Sequence, residues 1–283
     1  MNSVVNKRQG SSPSVRLGGA VILIGAGPGD PDLITIKAAK YLAKADVILI
    51  DRLVSPEIID LYANPEAVVI PVGKQCSRGI RTTQSSINEL LVHYAEQGKL
   101  VVRLKGGDSS IFSNILDELE TLAENQIEYE IIPGVTSFSG AAAYCGIPLT
   151  ARQHSKGIRI VTAYKTDEIS EETWKDWAKT DDTLIFYMSG QKIREISSKL
   201  IQHNVDMAKG LAVIEQATTP QQKTKTFSFQ NMNLDELPDF EFVPTLLIIG
   251  KTVSLHPKFA WFRELDAFES YFDKTPAALQ YAN

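Results

Sequence analysis

Short apolar runs that end abruptly in a polar or glycine residue are the feature that most limits what this chain can fold into. Residues 21–24, 47–50 and 68–72 are such runs, 100–104 and 129–132 read as further strands each holding one charged residue (Arg103, Glu130), and helix-spaced apolar positions lie between them. Strands buried on both faces need continuous apolar runs, and parallel neighbours need a crossover to connect them. The rhythm therefore predicts a mainly parallel sheet with helices on both faces over the first half. Asp30-Pro31 predicts a helix start, with Asp30 as cap, Pro31 in the first turn, and Leu33, Ile36, Ala39, Tyr41 and Leu42 as the apolar stripe. Ser55-Pro56 predicts a second helix start. Further helices are expected over 86–97, 115–125 and, from a run of small residues, 134–146. After an extended connector at 147–150, a second unit is predicted. Its strands fall at 158–162, 183–187, 210–214 and 245–249, and its helices near 171–179 and 193–203.

With 283 residues, 43% of them hydrophobic, the chain can build two cores. The expected division is a flexible leader at 1–18, an α/β domain at 19–152, a mixed α/β domain at 153–256 and a tail at 257–283. The tail carries Phe259, Trp261, Phe262, Phe268, Tyr271 and Phe272, too aromatic for plain disorder. It is expected to pack on the second domain or a partner subunit. Lys7, Arg8 and Arg16 precede an apolar stretch too short for a membrane span, so a soluble, cytoplasmic protein is expected. The net charge of −5 offers no basic face for nucleic acid. Cys76 and Cys145 form no pair motif, and four His with two Cys show no ligand spacing, so no metal is expected.

Gly25-Ala26-Gly27-Pro28-Gly29, between a strand and a helix, invites a dinucleotide reading, with Asp51 as the acidic ribose partner. A diphosphate cradle needs free backbone N–H groups, and Pro28 and Pro31 have none. Asp30 stands where the fingerprint wants its third glycine, and its carboxylate would repel phosphate. S-adenosylmethionine, with a sulfonium, an ammonium and no phosphate, suits this turn better.

The turn belongs to a larger pattern. Residues 21–35, then Asp51-Arg52-Leu53-Val54-Ser55-Pro56, Val72-Gly73-Lys74, Val102-Arg103-Leu104-Lys105-Gly106-Gly107-Asp108 and Pro133-Gly134-Val135-Thr136-Ser137 follow at characteristic spacings. Gly146-Ile147-Pro148-Leu149-Thr150, Tyr187-Met188, Ala217-Thr218-Thr219-Pro220 and 244–250 continue it. Together, over about residues 21–255, they resemble the tetrapyrrole (corrin/porphyrin) methylases, in particular members that C-methylate uroporphyrinogen III to precorrin-2. The resemblance implies a two-domain fold with a S-adenosylmethionine cleft between the domains, S-adenosylhomocysteine as product, and a homodimer. It implies Pro28, Gly106, Gly107, Asp108, Ile111, Thr136, Ser137, Met188 and Ala217 as the cofactor wall, Asp51 as proton acceptor and Lys74 as proton donor. A polycarboxylate tetrapyrrole needs a positive rim, for which Arg52, Arg103, Lys105 and Arg152 are the first candidates. Arg78, Arg81, Lys156 and Arg159 are further ones.

Departures fall at Gln75-Cys76, Ala151, Thr162-Ala163-Tyr164 and, most heavily, after the Gly-Gly-Asp turn. Where the family carries Pro-aromatic-Val-Phe-Gly-Arg after Gly-Gly-Asp, this chain reads Ser109-Ser110-Ile111-Phe112-Ser113-Asn114. The lost Gly-Arg keeps two alternatives open: a methylase of a later corrin intermediate or another acceptor, and a cofactor-binding protein without catalysis.

Overall fold

A computed structural model describes residues 19–73, 83–237, 243–265 and 270–273. Lys74, Arg78 and Arg81, together with the leader at 1–18, lie outside these residues. Among the described residues the chain forms two five-stranded sheets. The first contains β1 (Ala20–Gly25), β2 (Val47–Ile50), β3 (Val68–Pro71), β4 (Leu100–Lys105) and β5 (Glu128–Ile132), ordered β3-β2-β4-β1-β5, all parallel. Between them run α1 (Ile36–Leu42), α2 (Pro56–Tyr62), α3 (Gln84–Glu96) and α4 (Ile115–Glu124), followed by α5 (Ser137–Tyr144).

Side-chain alternation assigns the faces. Ile22, Ile24, Ile48, Ile50, Val102 and Leu104 pack with Ala38 and Leu42 of α1 and Ile58 and Ile59 of α2. Val21, Leu23, Val47, Leu49 and Val101 pack on the other face with Ile87 and Leu91 of α3 and Leu122 of α4. β4 is thus central and covered on both sides.

The helix expected to open at Asp30 begins later. Asp30 caps a short 3-10 turn, Pro31–Leu33, through its Oδ1 and the Asp32 amide at 2.9 Å, and Thr35 then caps α1. Ile34, between them, is extended, so Thr35 starts a second, independent cap.

The second sheet contains β6 (Ile158–Thr162), β7 (Thr183–Tyr187), β8 (Gly210–Glu215), β9 (Lys223–Ser228) and β10 (Thr245–Gly250), ordered β6-β7-β10-β8-β9. β6 and β7 are parallel, and β10 runs antiparallel to both β7 and β8. α6 (Glu171–Lys179) and α7 (Ile193–Gln202) cover one face, with Trp174 fully buried against Trp177 and Phe186. The opposite face, Ala212, Ile214, Leu246 and Ile248, packs on Ala141, Ala142 and Cys145 of α5 and its C-cap. The small residues of that helix let the second sheet come close, so α5 forms the seam between the halves.

Part of the aromatic tail packs on the second half, where Glu264 accepts from the Thr224 amide at 2.6 Å, and part packs on the first. A short helical turn α8 (His256–Phe259) ends before Trp261, whose indole donates to the Ala143 carbonyl at 2.8 Å. Trp261 and Phe262 lie against Tyr144, with ring centroids 5.1 and 5.4 Å away. These contacts are on α5, which the sequence assigns to the first half. Phe268 lies outside the described residues.

Candidate active site

The carboxyl ends of β1 and β4 lie side by side, where open α/β sheets present their loops to ligands. Each strand continues into a glycine turn, and the turns bridge: Gly27 N–H donates to Gly107 O at 3.1 Å, and Gly107 N–H to Gly27 O at 2.7 Å. Ala26 N–H is spent on Lys105 O at 2.8 Å and Asp30 N–H on Thr218 Oγ1 at 3.0 Å. The Ala26, Gly27 and Asp30 amides, three that a diphosphate would use, are therefore committed within the protein. Gly107 has φ +68, a conformation that favours glycine.

A cavity of about 620 Å³ opens above these turns, between the two halves. Of the expected cofactor wall, Pro28, Gly106, Gly107, Asp108, Ile111, Ser137, Met188 and Ala217 line it. Thr136 does not; it is the N-cap residue of α5, just before Ser137, and makes no side-chain cap bond. The Asp108 carboxylate is occupied locally. Its Oδ2 accepts from Gly134 N–H at 2.9 Å, and its Oδ1 accepts from the Ser110 amide at 2.8 Å and from the Ser110 hydroxyl. This holds the glycine turn of β4 against the loop after β5.

Asp51 leaves β2 into the same cavity. Its amide donates to Leu104 O at 3.0 Å, which keeps it in sheet register, and its side chain is 30% exposed. Beneath it lies a buried chain of charge. Arg103 Nη2 donates to Asp51 Oδ1 at 2.7 Å, and Arg103 Nε donates to Glu118 Oε1 at 2.8 Å. Lys105 Nζ donates to both Glu118 oxygens at 3.0 Å. Arg103 Nη1 reaches the Leu49 and Leu104 carbonyls at 3.4 and 3.3 Å. With Asp51 and Glu118 ionised, two anions balance two cations. Burial opposes the Arg103 charge, but Asp51 and Glu118 outweigh it and hold its pKa above the ordinary value. Burial first, and then the Arg103 cation, pulls Lys105 below its ordinary value.

This corrects the expected rim. Arg103 and Lys105 are each 2% exposed, because alternation along β4 sends positions 101, 103 and 105 toward α3 and α4, where α4 supplies Glu118. Lys105 lines the cavity only as part of its buried wall. Arg152 is exposed and does not line the cavity, and Arg159 is paired with Asp176 and Asp182. Among the described residues, the exposed Arg52 and the half-buried Lys192, paired with Glu195 at 3.0 Å, are cations on the cavity wall outside the buried chain. Lys192 is one the sequence reading missed.

Tyr187 was also missed as a site residue, although its dipeptide with Met188 was noted. Its hydroxyl accepts from the Phe138 amide at 3.1 Å, so a β7 side chain satisfies an otherwise orphan donor in the first turn of α5. Burial pushes the Tyr187 pKa up. Phe112, from the segment that departs from the pattern, lies 5.1 Å from the Tyr187 ring and so reaches across the cleft. Phe272 of the tail lines the cavity as well, a placement no local pattern announces. No three His, Cys, Asp or Glu side chains gather as a metal site among the described residues. No helix among them is long and apolar enough to cross a membrane.

Comparison with known proteins agrees with this architecture. Residues 20–233 match the family model of the tetrapyrrole (corrin/porphyrin) methylases. The uroporphyrinogen-III C-methyltransferase of Bacillus subtilis is 44% identical over 245 residues, covering 86% of this chain and 95% of that protein. The siroheme synthase of Nitrosomonas europaea is 42% identical over 249 residues, but those are 51% of its length. The chain thus spans about half the length of the siroheme synthases it matches. Among solved structures, uroporphyrin-III C-methyltransferase of Thermus thermophilus complexed with S-adenosylhomocysteine superimposes with TM-score 0.69 at 30% identity, covering 84% of this chain and all of that one. A cobalt precorrin-4 methyltransferase gives 0.72 at 27% identity, covering 86% and 99%. With the cleft, the glycine turns and these matches in agreement, the chain belongs to the tetrapyrrole methylase family.

Proposed function

We propose that this chain transfers a methyl group from S-adenosylmethionine to carbon atoms of uroporphyrinogen III, giving precorrin-2 for siroheme or cobalamin synthesis. The single observation that carries this reading is a carboxylate, Asp51, held by a buried arginine at the floor of a two-domain cavity. The chemistry of the wall fits the cofactor. The Ala26, Gly27 and Asp30 amides are spent, which disfavours phosphate, while apolar groups and carboxylates surround a space large enough for an adenosine and an acceptor. Pro28, Gly106, Gly107, Asp108, Ile111, Ser137, Met188 and Ala217 would hold it, with Thr136 positioning Ser137.

When bound, S-adenosylmethionine supplies an electrophilic methyl on a sulfonium. The chain's own part is to aim the acceptor carbon, exclude water and remove a proton from the methylated macrocycle. Asp51 suits the last task. Arg103 holds Oδ1 and Leu104 holds the backbone, which fixes where the other carboxylate oxygen lies. Arg52 and Lys192 are placed to receive acceptor carboxylates, and we assign Lys74 the proton-donor role by its place in the motif. A homodimer in the cytoplasm completes the proposal, by analogy with the family.

A second reading, a later corrin intermediate as acceptor, is favoured by one observation. The altered segment places Phe112 against Tyr187, at the opening where acceptor shape would be felt. Turnover assays with uroporphyrinogen III and with a later intermediate decide between the two. Methylation of uroporphyrinogen III alone is expected. Turnover of the later intermediate alone would replace the first reading, and binding of S-adenosylhomocysteine with neither turnover would end both.

A further inference from the structure

The end of the described tail closes onto both walls of the cleft. Tyr271 is fully buried and Phe272 is 7% exposed, although both lie beyond the last strand and helix of the second sheet. Tyr271 joins the two walls of the cleft. Its hydroxyl lies 2.7 Å from Ser55 Oγ, on the loop that begins at Asp51, and donates to Glu57 Oε1 at 3.1 Å. Its N–H donates to Gln216 Oε1 at 2.7 Å, next to Ala217 on the other wall. Gln216 is held at φ +47, sparsely populated for a residue with a side chain, and its own amide is fixed to Pro244 O at 2.8 Å. Such a conformation persists where surrounding contacts over-determine it.

Pinned in this way, the tail presents its next two residues to the site. Phe272 lines the cavity and lies across the Tyr271 ring at 5.4 Å and 88°. Asp273 brings a carboxylate oxygen to 3.9 Å from Arg52 Nη1, with the two side chains 64% and 38% exposed. An ion pair this long and this wet holds weakly. Arg52 follows Asp51 directly and is an exposed cation on the cavity wall.

We propose that Phe272 and Asp273 are specificity-determining residues of the acceptor subsite. Phe272 supplies an aromatic wall against a pyrrole face, and Asp273 stands in on Arg52 for a carboxylate of the acceptor, which displaces it on binding. The inference rests on the proposed tetrapyrrole methylation. A tail that merely ties the two halves together would give both residues the same kind of effect, a loss of stability. A subsite gives them opposite effects on acceptor binding.

The test compares the whole chain with Phe272→Ala, Phe272→Leu and Asp273→Asn. It measures steady-state kinetics with uroporphyrinogen III at low salt, S-adenosylhomocysteine titration and thermal melting. Phe272→Ala is expected to raise KM for the tetrapyrrole about tenfold, with Phe272→Leu intermediate and S-adenosylhomocysteine affinity unchanged. Asp273→Asn is expected to lower that KM by about two- to threefold, an advantage that fades with added salt. Unchanged KM in folded variants overturns the inference, as does a fall in S-adenosylhomocysteine affinity equal to the change in KM. If the unmodified chain binds S-adenosylhomocysteine but does not methylate uroporphyrinogen III, the functional reading has failed, and the tail is not what failed.

Discussion

The amino-terminal wall of the cleft joins the half-buried Asp51 to buried Arg103, Glu118 and Lys105 in one ion-paired chain, whereas the carboxyl-terminal half centres on the apolar cluster of Trp174, Trp177 and Phe186, with buried Lys209 donating to the Ala178 carbonyl at 3.0 Å. The two halves share an α/β build and differ in what their sheets do. The first sheet must place a carboxylate at the edge of a cavity and hold it there. Ion pairs do this directionally, because each bond fixes an angle as well as a distance. The second sheet must present a surface, for which non-directional apolar packing suffices.

The largest expected effect breaks the amino-terminal wall at its tip. Asp51→Asn keeps the size and removes the basicity, so turnover should fall about 10²–10⁴-fold. S-adenosylhomocysteine affinity and melting temperature should stay near normal. Calorimetry and kinetics on one preparation check this, and normal turnover would remove Asp51 from the chemistry.

Next comes the base of the same wall. Glu118→Ala leaves Arg103 and Lys105 buried with one anion fewer, and urea unfolding should show a loss of about 3–5 kcal/mol. Glu118→Leu combined with Lys105→Met should lose less than Glu118→Ala alone, because no lysine charge remains unpaired. Trp174→Ala in the other half should lose a similar amount, about 3–5 kcal/mol, but no partner substitution of opposite charge should restore it. If charge compensation made no difference at Glu118, the two walls would be alike after all.

A smaller effect compares backbones. Gly107 and Met188 face each other's side of the cavity with φ +68 and +54, one as glycine and one not. Gly107→Ala should cost about 1–2 kcal/mol from the left-handed conformation alone. Met188→Gly should change stability by less than about 1 kcal/mol while weakening S-adenosylhomocysteine binding. Equal stability losses at both sites would show that neither backbone is under strain.

The smallest effect concerns pH, and it separates the two walls from the residue that ties them. Tyr271 is pushed up to about 12, chiefly by burial, so the unfolded chain loses this proton before the folded one. Its contribution to stability is complete below about pH 10 and is lost as pH rises toward about 12. Lys105 has the opposite sign: its lowered value makes its contribution grow as pH rises toward 10.5. Tyr271→Phe should flatten the alkaline loss of stability, and Lys105→Met should steepen it. Alkaline melting curves for the two variants check both signs.

The strands were legible because a strand buried on both faces leaves an uninterrupted apolar run, and β1, β2 and β10 each show one. The residues expected as a cofactor wall came from the resemblance to the methylases, and all of them but Thr136 line the cavity. Helix starts were harder, as Asp30 and Thr35 compete to cap and only packing chooses. The rim was misread because a charged residue looks exposed when read singly. Arg103 and Lys105 share a strand face with Val101, and that parity places them inside once β4 is known to be central.

By itself, then, the sequence determined the alternation of strands and helices, the exclusion of a diphosphate at the first turn, and the carboxylate at the end of β2. These depend on local covalent facts: residue period, the missing proline N–H and the place of Asp51 in its run. Only the tertiary structure decided that Glu118 meets Arg103 and Lys105, that Tyr187 caps α5, and that Tyr271 closes onto Ser55 and Gln216. Each of those joins residues far apart in the chain, and their meeting is set by how sheets and helices stack.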